Sequence, residues 1–306
     1  MDTSNLWFIG TGHFAALCLQ GFSRQNITFT RIITGQPTRS GRNNKENPSP
    51  VEIMAGTLGL NVTRTGKLSE NNELIDALAL ENPDVIFVID FGQIIREPFL
   101  SRMCLNIHPS LLPEYRGAAP IQRALLDGHD STGVTVFRLA KAMDAGDILE
   151  QKRVDVLEND NASGLYMKLA ETGCEVAEKA LKNPEGLTFT PQDNSMATFA
   201  PKLEKSEFAL SFSDTASKFV NTVRALDMSG GAYVMAAGKR LKVWRARLRN
   251  DVNDGRAGEI LSVEGCPVVS CGDYGVELLE VQSEGKRRMS GREWTAGLRI
   301  RTGDIL

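Results

Sequence analysis

The chain has 306 residues, 42% of them hydrophobic, which is enough for a sizeable core and long enough for two domains. Its formal net charge of −3 excludes a globally basic nucleic-acid binder, so any attraction to RNA must come from local patches. No apolar run approaches the roughly 18 residues of a membrane helix.

MDTSNLWFIG lacks the basic start and long apolar centre of a signal peptide. Five cysteines without metal or redox spacing read as reduced thiols of a cytoplasmic protein. LWFIG (6–10) reads as a compact strand, and GTGHFAALCLQGF after it as a glycine turn opening a helix. That is a Rossmann-like opening, but Ala15 stands where a third glycine would complete the dinucleotide fingerprint. A tight turn without a nucleotide is the preferred reading. ITFTRIITG (27–35) is expected to be a strand. The polar stretch after it, GQPTRSGRNNKENPSPVE, is expected to be a long loop carrying Arg39, Arg42 and Lys45. A solvated surface loop and a phosphate clamp both fit it.

A helix is predicted over 49–60, capped by Ser49 with Pro50 in its first turn. A second is predicted over 71–83, stopped by Pro83. DVIFVIDFG (84–92) is continuously apolar, as a central parallel strand should be.

MCLNIH then reads as a buried strand, with Asn106 and His108 two apart and so on one face. Pro109 and Pro113 open it into a loop, where open α/β sheets bind ligands. A helix is predicted over 119–128 and a strand over 133–139. Asp144 follows in AKAMDAGD, also just past a strand end. Asn, His and Asp at strand ends would supply an amide donor, an imidazole acid or base, and a carboxylate to orient it or relay protons. The bland alternative is a structural histidine beside ordinary turn formers. A strand over 146–156 and a long amphipathic helix over 163–183 follow.

From about 186 the pattern loses its period, and 189–206 reads as a linker between a catalytic domain (1–188) and a C-terminal domain (207–306). A helix over 214–227 precedes alternating segments separated by turns, as in a small β-barrel of the oligonucleotide-binding type. Lys239, Arg240, Lys242, Arg245, Arg247 and Arg249 surround Trp244, and Lys286 to Arg288 form a second basic cluster. Residues 1–206 carry 20 Lys+Arg against 25 Asp+Glu, and residues 207–306 carry 15 against 13, so the positive bias lies on the C-terminal side. The fold class expected is therefore α/β: a Rossmann-like, mostly parallel sheet domain followed by a small β-barrel.

NIHPSLLPEYRGAAPIQRAL with the later MDAGDIL resembles the formyltransferase family that uses 10-formyltetrahydrofolate. The RGAAPIQRAL run is similar to the branch of that family whose acceptor is methionyl-tRNA. The resemblance implies formyl transfer from 10-formyltetrahydrofolate to the α-amine of initiator methionyl-tRNA, by a monomer with no metal. It makes Asn106, His108 and Asp144 the catalytic trio, and places Ser110, Leu111, Leu112 and Pro113 on the folate-binding segment. It places Arg42, in PTRSGR, on the arginine that meets the tRNA acceptor end. The chain departs from the family with Asp90-Phe91-Gly92 where Ala-Tyr-Gly is usual, and with LDMSGGA at 226–232. Asp90 either meets the pterin ring or faces solvent. Two other readings remain: a formyltransferase or hydrolase of the same core, and a silent RNA-binding module.

Overall fold

The computed structural model describes residues 5–40, 45–182, 187–236, 238–252 and 255–306. It divides into two compact units. The first comprises Met1–Pro120, Ser131–Asp155 and Tyr166–Ala200; the second comprises Ile121–Asp130, Val156–Leu165 and Pro201–Leu306. Residues 189–200 thus group with the first unit.

In chain order the elements of the first part are β1 (Leu6–Gly10), α1 (His13–Arg24), β2 (Arg31–Gly35), β3 (Thr38–Ser40), β4 (Lys45–Asn47), α2 (Pro50–Thr57), β5 (Thr63–Thr65), α3 (Asn72–Glu81) and β6 (Val85–Ile89). Then come β7 (Cys104–His108), β8 (Arg116–Gly117), α4 (Pro120–Leu126), β9 (Ser131–Arg138), β10 (Ile148–Asp155), α5 (Ala162–Lys182) and β11 (Phe199–Ala200). One seven-stranded sheet runs β10-β9-β7-β6-β1-β2-β5. It is parallel from β7 to β5, while β9 and β10 are antiparallel additions at the other edge.

Both faces of the central strands are covered, which explains their unbroken apolar runs. Strand alternation sends Trp7, Ile9, Ile86 and Val88 into one layer with Leu74 and Leu78 of α3. It sends Phe8 and Phe87 to the opposite face. There Phe29 stacks edge-on to Phe8 at 5.2 Å, and Phe22 of α1 lies 4.9 Å from Phe87. Helix ends follow the sequence signals. Ser49 accepts the Glu52 amide at 3.0 Å, and Asn71 accepts the Leu74 amide at 3.1 Å.

Two local expectations change. The second strand begins at Arg31, because the chain is still leaving α1 at Ile27, whose amide bonds the Phe22 carbonyl at 2.9 Å. The polar stretch after it contains the antiparallel pair β3–β4. Arg42 lies outside the described residues.

The second unit holds α6 (Ala216–Ala225), β12 (Ala232–Ala236), β13 (Lys239–Arg249), β14 (Ile260–Ser262), β15 (Val268–Ser270), β16 (Gly275–Ser283), β17 (Met289–Ser290) and α7 (Gly291–Leu298). Its antiparallel sheet runs β12-β13-β16-β15-β14, with β17 on β16. Phe219 and Val223 of α6 pack against Val243, Leu278 and Val281, with Trp294 of α7 in the same core. Helix α7 escaped the sequence reading despite a capping box, in which Ser290 and Glu293 bond each other's amides.

Phe87 is fully buried at the centre of the aromatic layer. Phe87→Ala is expected to cost ~3–5 kcal/mol of stability in urea unfolding, with an unchanged m-value.

Candidate active site

The site is assembled at the end of β7. Asn106 and His108 lie two residues apart on it, opposite Phe137 and Thr135 of β9. His108 is buried, with the Phe137 ring edge-on at 6.5 Å. Its Nε2 sits 2.9 Å from the Tyr115 carbonyl oxygen. A carbonyl only accepts, so Nε2 carries the hydrogen and Nδ1 turns to the other side. There Asp144 Oδ2 lies 3.8 Å away. That is too long for a direct hydrogen bond. A proton on Nδ1 converts the contact into an ion pair.

Asp144 belongs to the turn between β9 and β10, and its backbone is left-handed, with φ of 50°. Its carboxylate accepts the Gly117 amide at 2.8 Å through the same Oδ2 that faces His108. Gly146, two residues on, passes so close to β9 that a Cβ there would overlap the Arg138 carbonyl. The spacing Asp-x-Gly is therefore a geometric requirement: the glycine lets the turn fold under, and the turn aims the carboxylate.

The loop after β7 is built rigidly. The Ser110 hydroxyl donates to the Glu114 carbonyl at 2.6 Å, and Thr135 donates to the Ser110 carbonyl at 2.7 Å. The Leu112 amide donates to Thr135 Oγ1 at 3.0 Å, and Gln151 donates to the Leu112 carbonyl at 2.7 Å. Ser110 and Leu112 are buried in this network, while Leu111 and Pro113 are half-buried. Burial pushes the Cys104 thiol at the start of β7 up to about 12, so it stays protonated and is no nucleophile at neutral pH.

The glycine turn after β1 takes a form the sequence did not disclose. Asp90, at the end of β6 with φ of 45°, lends its carbonyl to the amides of Thr11 and Gly12, at 3.1 and 3.0 Å. Its carboxylate accepts the Phe14 amide at 3.2 Å, capping α1. A Cβ on Gly12 would overlap that carboxylate. A carboxyl of the chain itself thus stands at the helix N-terminus, where a dinucleotide fold places pyrophosphate; desolvation raises its pKa and the Phe14 amide opposes that shift. Asp90 is exposed, as one sequence alternative had it, and helix capping is a further role that neither alternative contained.

Arg116 opens the RGAAPIQRAL run, whose place in the family's signature suggests substrate binding or site architecture; it is buried, and its guanidinium bonds Gln192 and Asn194 from the stretch before β11, two residues with no sequence signal. Thr198 receives the Tyr115 amide on its hydroxyl at 2.8 Å and the Arg116 amide on its carbonyl at 2.9 Å. Among the described residues no three His, Cys, Asp or Glu side chains converge as metal ligands.

Comparison with known proteins gives the class. Residues 4–181 match Formyl transferase, residues 202–299 match Formyl transferase, C-terminal domain, and the chain belongs to the formyltransferase family. Within that family it is similar to methionyl-tRNA formyltransferases. The one from Caldicellulosiruptor saccharolyticus is 36% identical over 306 residues, covering 98% of each chain. Among solved structures, HypX from Aquifex aeolicus in complex with tetrahydrofolic acid has the same fold at TM-score 0.67 and 18% identity. The match takes in 100% of this chain and 49% of that one. Methionyl-tRNA formyltransferase from Clostridium thermocellum matches at TM-score 0.56 and 17% identity, over 81% of this chain and 94% of that one.

Gly146→Ala forces the turn away from Arg138. It is expected to cost ~1–3 kcal/mol in thermal unfolding and to lower turnover together with stability. Wild-type activity in this variant would show that the turn adapts without moving Asp144.

Proposed function

We propose that the chain transfers the formyl group of 10-formyltetrahydrofolate to the α-amine of initiator methionyl-tRNA, giving N-formylmethionyl-tRNA for translation initiation. The observation that carries this is similarity to methionyl-tRNA formyltransferases along 98% of the chain, at 36% identity. The folate donor is supported by the shared family and by the tetrahydrofolic acid bound in HypX. Cys18, Cys104, Cys174, Cys266 and Cys271 are all free thiols, which fits a reducing cytoplasm.

In this reading the amine attacks the formyl carbon, a C–N bond forms to methionine, and the bond to N10 of the folate breaks. One proton leaves the amine and one reaches N10, so the reaction is balanced without a further reactant. Charge develops on the formyl oxygen. The Asn106 amide and the buried His108 imidazole stabilise it. Asp144 orients that imidazole and passes the amine proton. Leu111 and Pro113 offer the folate an apolar edge, and Ser110 and Leu112 keep that edge in place.

For the tRNA, Arg42 and the Lys239–Arg249 strand remain the cationic candidates. A guanidinium binds a phosphate bidentately. Within β13 two arginines already have acidic partners: Arg247 pairs with Glu277 at 2.5 Å and Arg249 with Asp251 at 2.8 Å. Trp244 sits at a register shift and carries the Arg288 guanidinium over its ring at 3.3 Å.

The direct test is incubation with 10-formyltetrahydrofolate and either methionyl-tRNA or a UDP-amino sugar. Formylation of the sugar alone would overturn the acceptor. His108→Ala and Asp144→Asn should each lower turnover by about two to four orders of magnitude while circular dichroism stays unchanged. Near-normal turnover in either removes that residue from the trio.

Arg42→Ala should weaken use of methionyl-tRNA, leave folate binding intact and flatten the salt dependence of tRNA affinity, because each lost phosphate contact releases fewer counterions. Equal affinity and equal salt slope would make Arg42 a bystander.

A further inference from the structure

We propose that Gln192 is a positioning residue for the Asp144–His108 pair, holding the Asp144 turn against the loop that carries Tyr115 and Gly117. The proposal rests on the reading of that pair as the proton-handling centre. Gln192 lies in the stretch between the two family matches, which end at residue 181 and resume at 202.

Its side chain uses its full bonding capacity. Oε1 accepts from Arg116 Nε at 3.1 Å and from Nη2 at 2.6 Å. Nε2 donates to the carbonyl of Asp144 at 2.8 Å and to that of Gly146 at 2.7 Å. Two acceptor positions and two donors are all that a carboxamide has. One side chain therefore ties a buried cation in one loop to the carbonyls on either side of the other loop's key turn.

The geometry on each side makes the tie consequential. Arg116 sits between Tyr115, whose carbonyl receives His108 Nε2, and Gly117, whose amide binds Asp144 Oδ2. Tyr115 and Asp144 both have left-handed backbones, with φ of 57° and 50°. Tyrosine holds that conformation only when its surroundings enforce it, while aspartate adopts it more readily. At Asp144 the two donors of Gln192 fix the peptide carbonyls while Gly117 fixes the carboxylate. Without Gln192 the turn relaxes, and the separation between Asp144 Oδ2 and His108 Nδ1, 3.8 Å here, is no longer set.

A carboxamide can do this and a carboxylate cannot. Gln192→Glu keeps an acceptor for Arg116, with charge added, but has no donors for the Asp144 and Gly146 carbonyls and turns negative oxygen toward them. Gln192→Met has similar length and neither set of bonds. Both variants are tested in the full chain with methionyl-tRNA and 10-formyltetrahydrofolate, beside Asp144→Asn and the Asp144→Asn/Gln192→Glu double variant.

Gln192→Glu is expected to lower kcat by about 10- to 100-fold, the scale of an ångström-sized misplacement. KM for both substrates should stay within about twofold, and the pH profile of kcat should change shape. In the Asp144→Asn background Gln192→Glu should cost nothing further, since residues acting through one group are not additive. Should Gln192→Glu fail to fold, Gln192→Met answers the same questions. A normal kcat, or a loss with unchanged pH profile that adds fully to that of Asp144→Asn, overturns the proposal and leaves Gln192 a structural residue. Normal turnover in Asp144→Asn itself overturns the underlying reading of the pair, and this inference with it.

Discussion

The buried guanidinium of Arg116 is the constraint on which the site depends. A cation taken out of water is tolerated only with its donors satisfied. The acceptors here are neutral amide oxygens from Gln192 and Asn194, more than seventy residues later in the chain. Meeting that demand draws residues 190–200 onto the loop after β7, where β11 pairs in parallel with β8. Once there, the backbone of Thr198 and Ala200 takes up the amides of Arg116, Ala118 and Ala119. The loop that presents the Tyr115 carbonyl and the Gly117 amide is thus fixed from outside, and His108 and Asp144 inherit their positions from it.

The strand-end placement of Asn106, His108 and Asp144 was legible because strand ends and turn residues are local. Asn106 and His108 could be placed on one face by alternation alone, and Asp144 by its distance past an apolar run. Of the supports, Arg116 lay in the signature run, but its acceptors were not legible, because their information is tertiary. Nothing in LTFTPQDNSMATFAPK distinguishes Gln192 from any polar residue of a linker, and its importance appears only when Arg116 is found buried. The aperiodic stretch from 186 was read as a connection on sound grounds. Irregular backbone is also what a chain needs when it must supply side-chain acceptors at several angles to a neighbouring loop.

The same contrast runs through the N-terminal turn. Gly10 and Gly12 signal a close approach, and the approach is real: a Cβ on Gly10 would meet Ala15 and the Ile89 carbonyl, and one on Gly12 would overlap the Asp90 carboxylate. A helix N-terminus offers unpaired amides and partial positive charge, and any anion that reaches it satisfies both. An aspartate at the end of the neighbouring parallel strand does so from within the chain. At 226–232 a similar substitution of means occurs. Asp227 caps α5 through Ser163, and Gly231 leaves room for the Trp244 ring, where a Cβ would sit 3.0 Å from its atoms.

The charge distribution then bears on how a polyanion could be held at all. The second part of the chain carries only a small positive excess, and β13 spends two of its arginines on Glu277 and Asp251. Each such pair offsets a cation in the field that a phosphate backbone would meet. Arg288 is oriented by the Trp244 face and Arg240 by Tyr233, at 3.3 and 4.6 Å from the ring centres. An aromatic ring orients a cation without offsetting its charge, whereas a carboxylate partner offsets it. On an acidic chain, a cation beside an aromatic ring adds more to the field a polyanion would meet than one paired with a carboxylate, and a count of basic residues in a segment overstates that field.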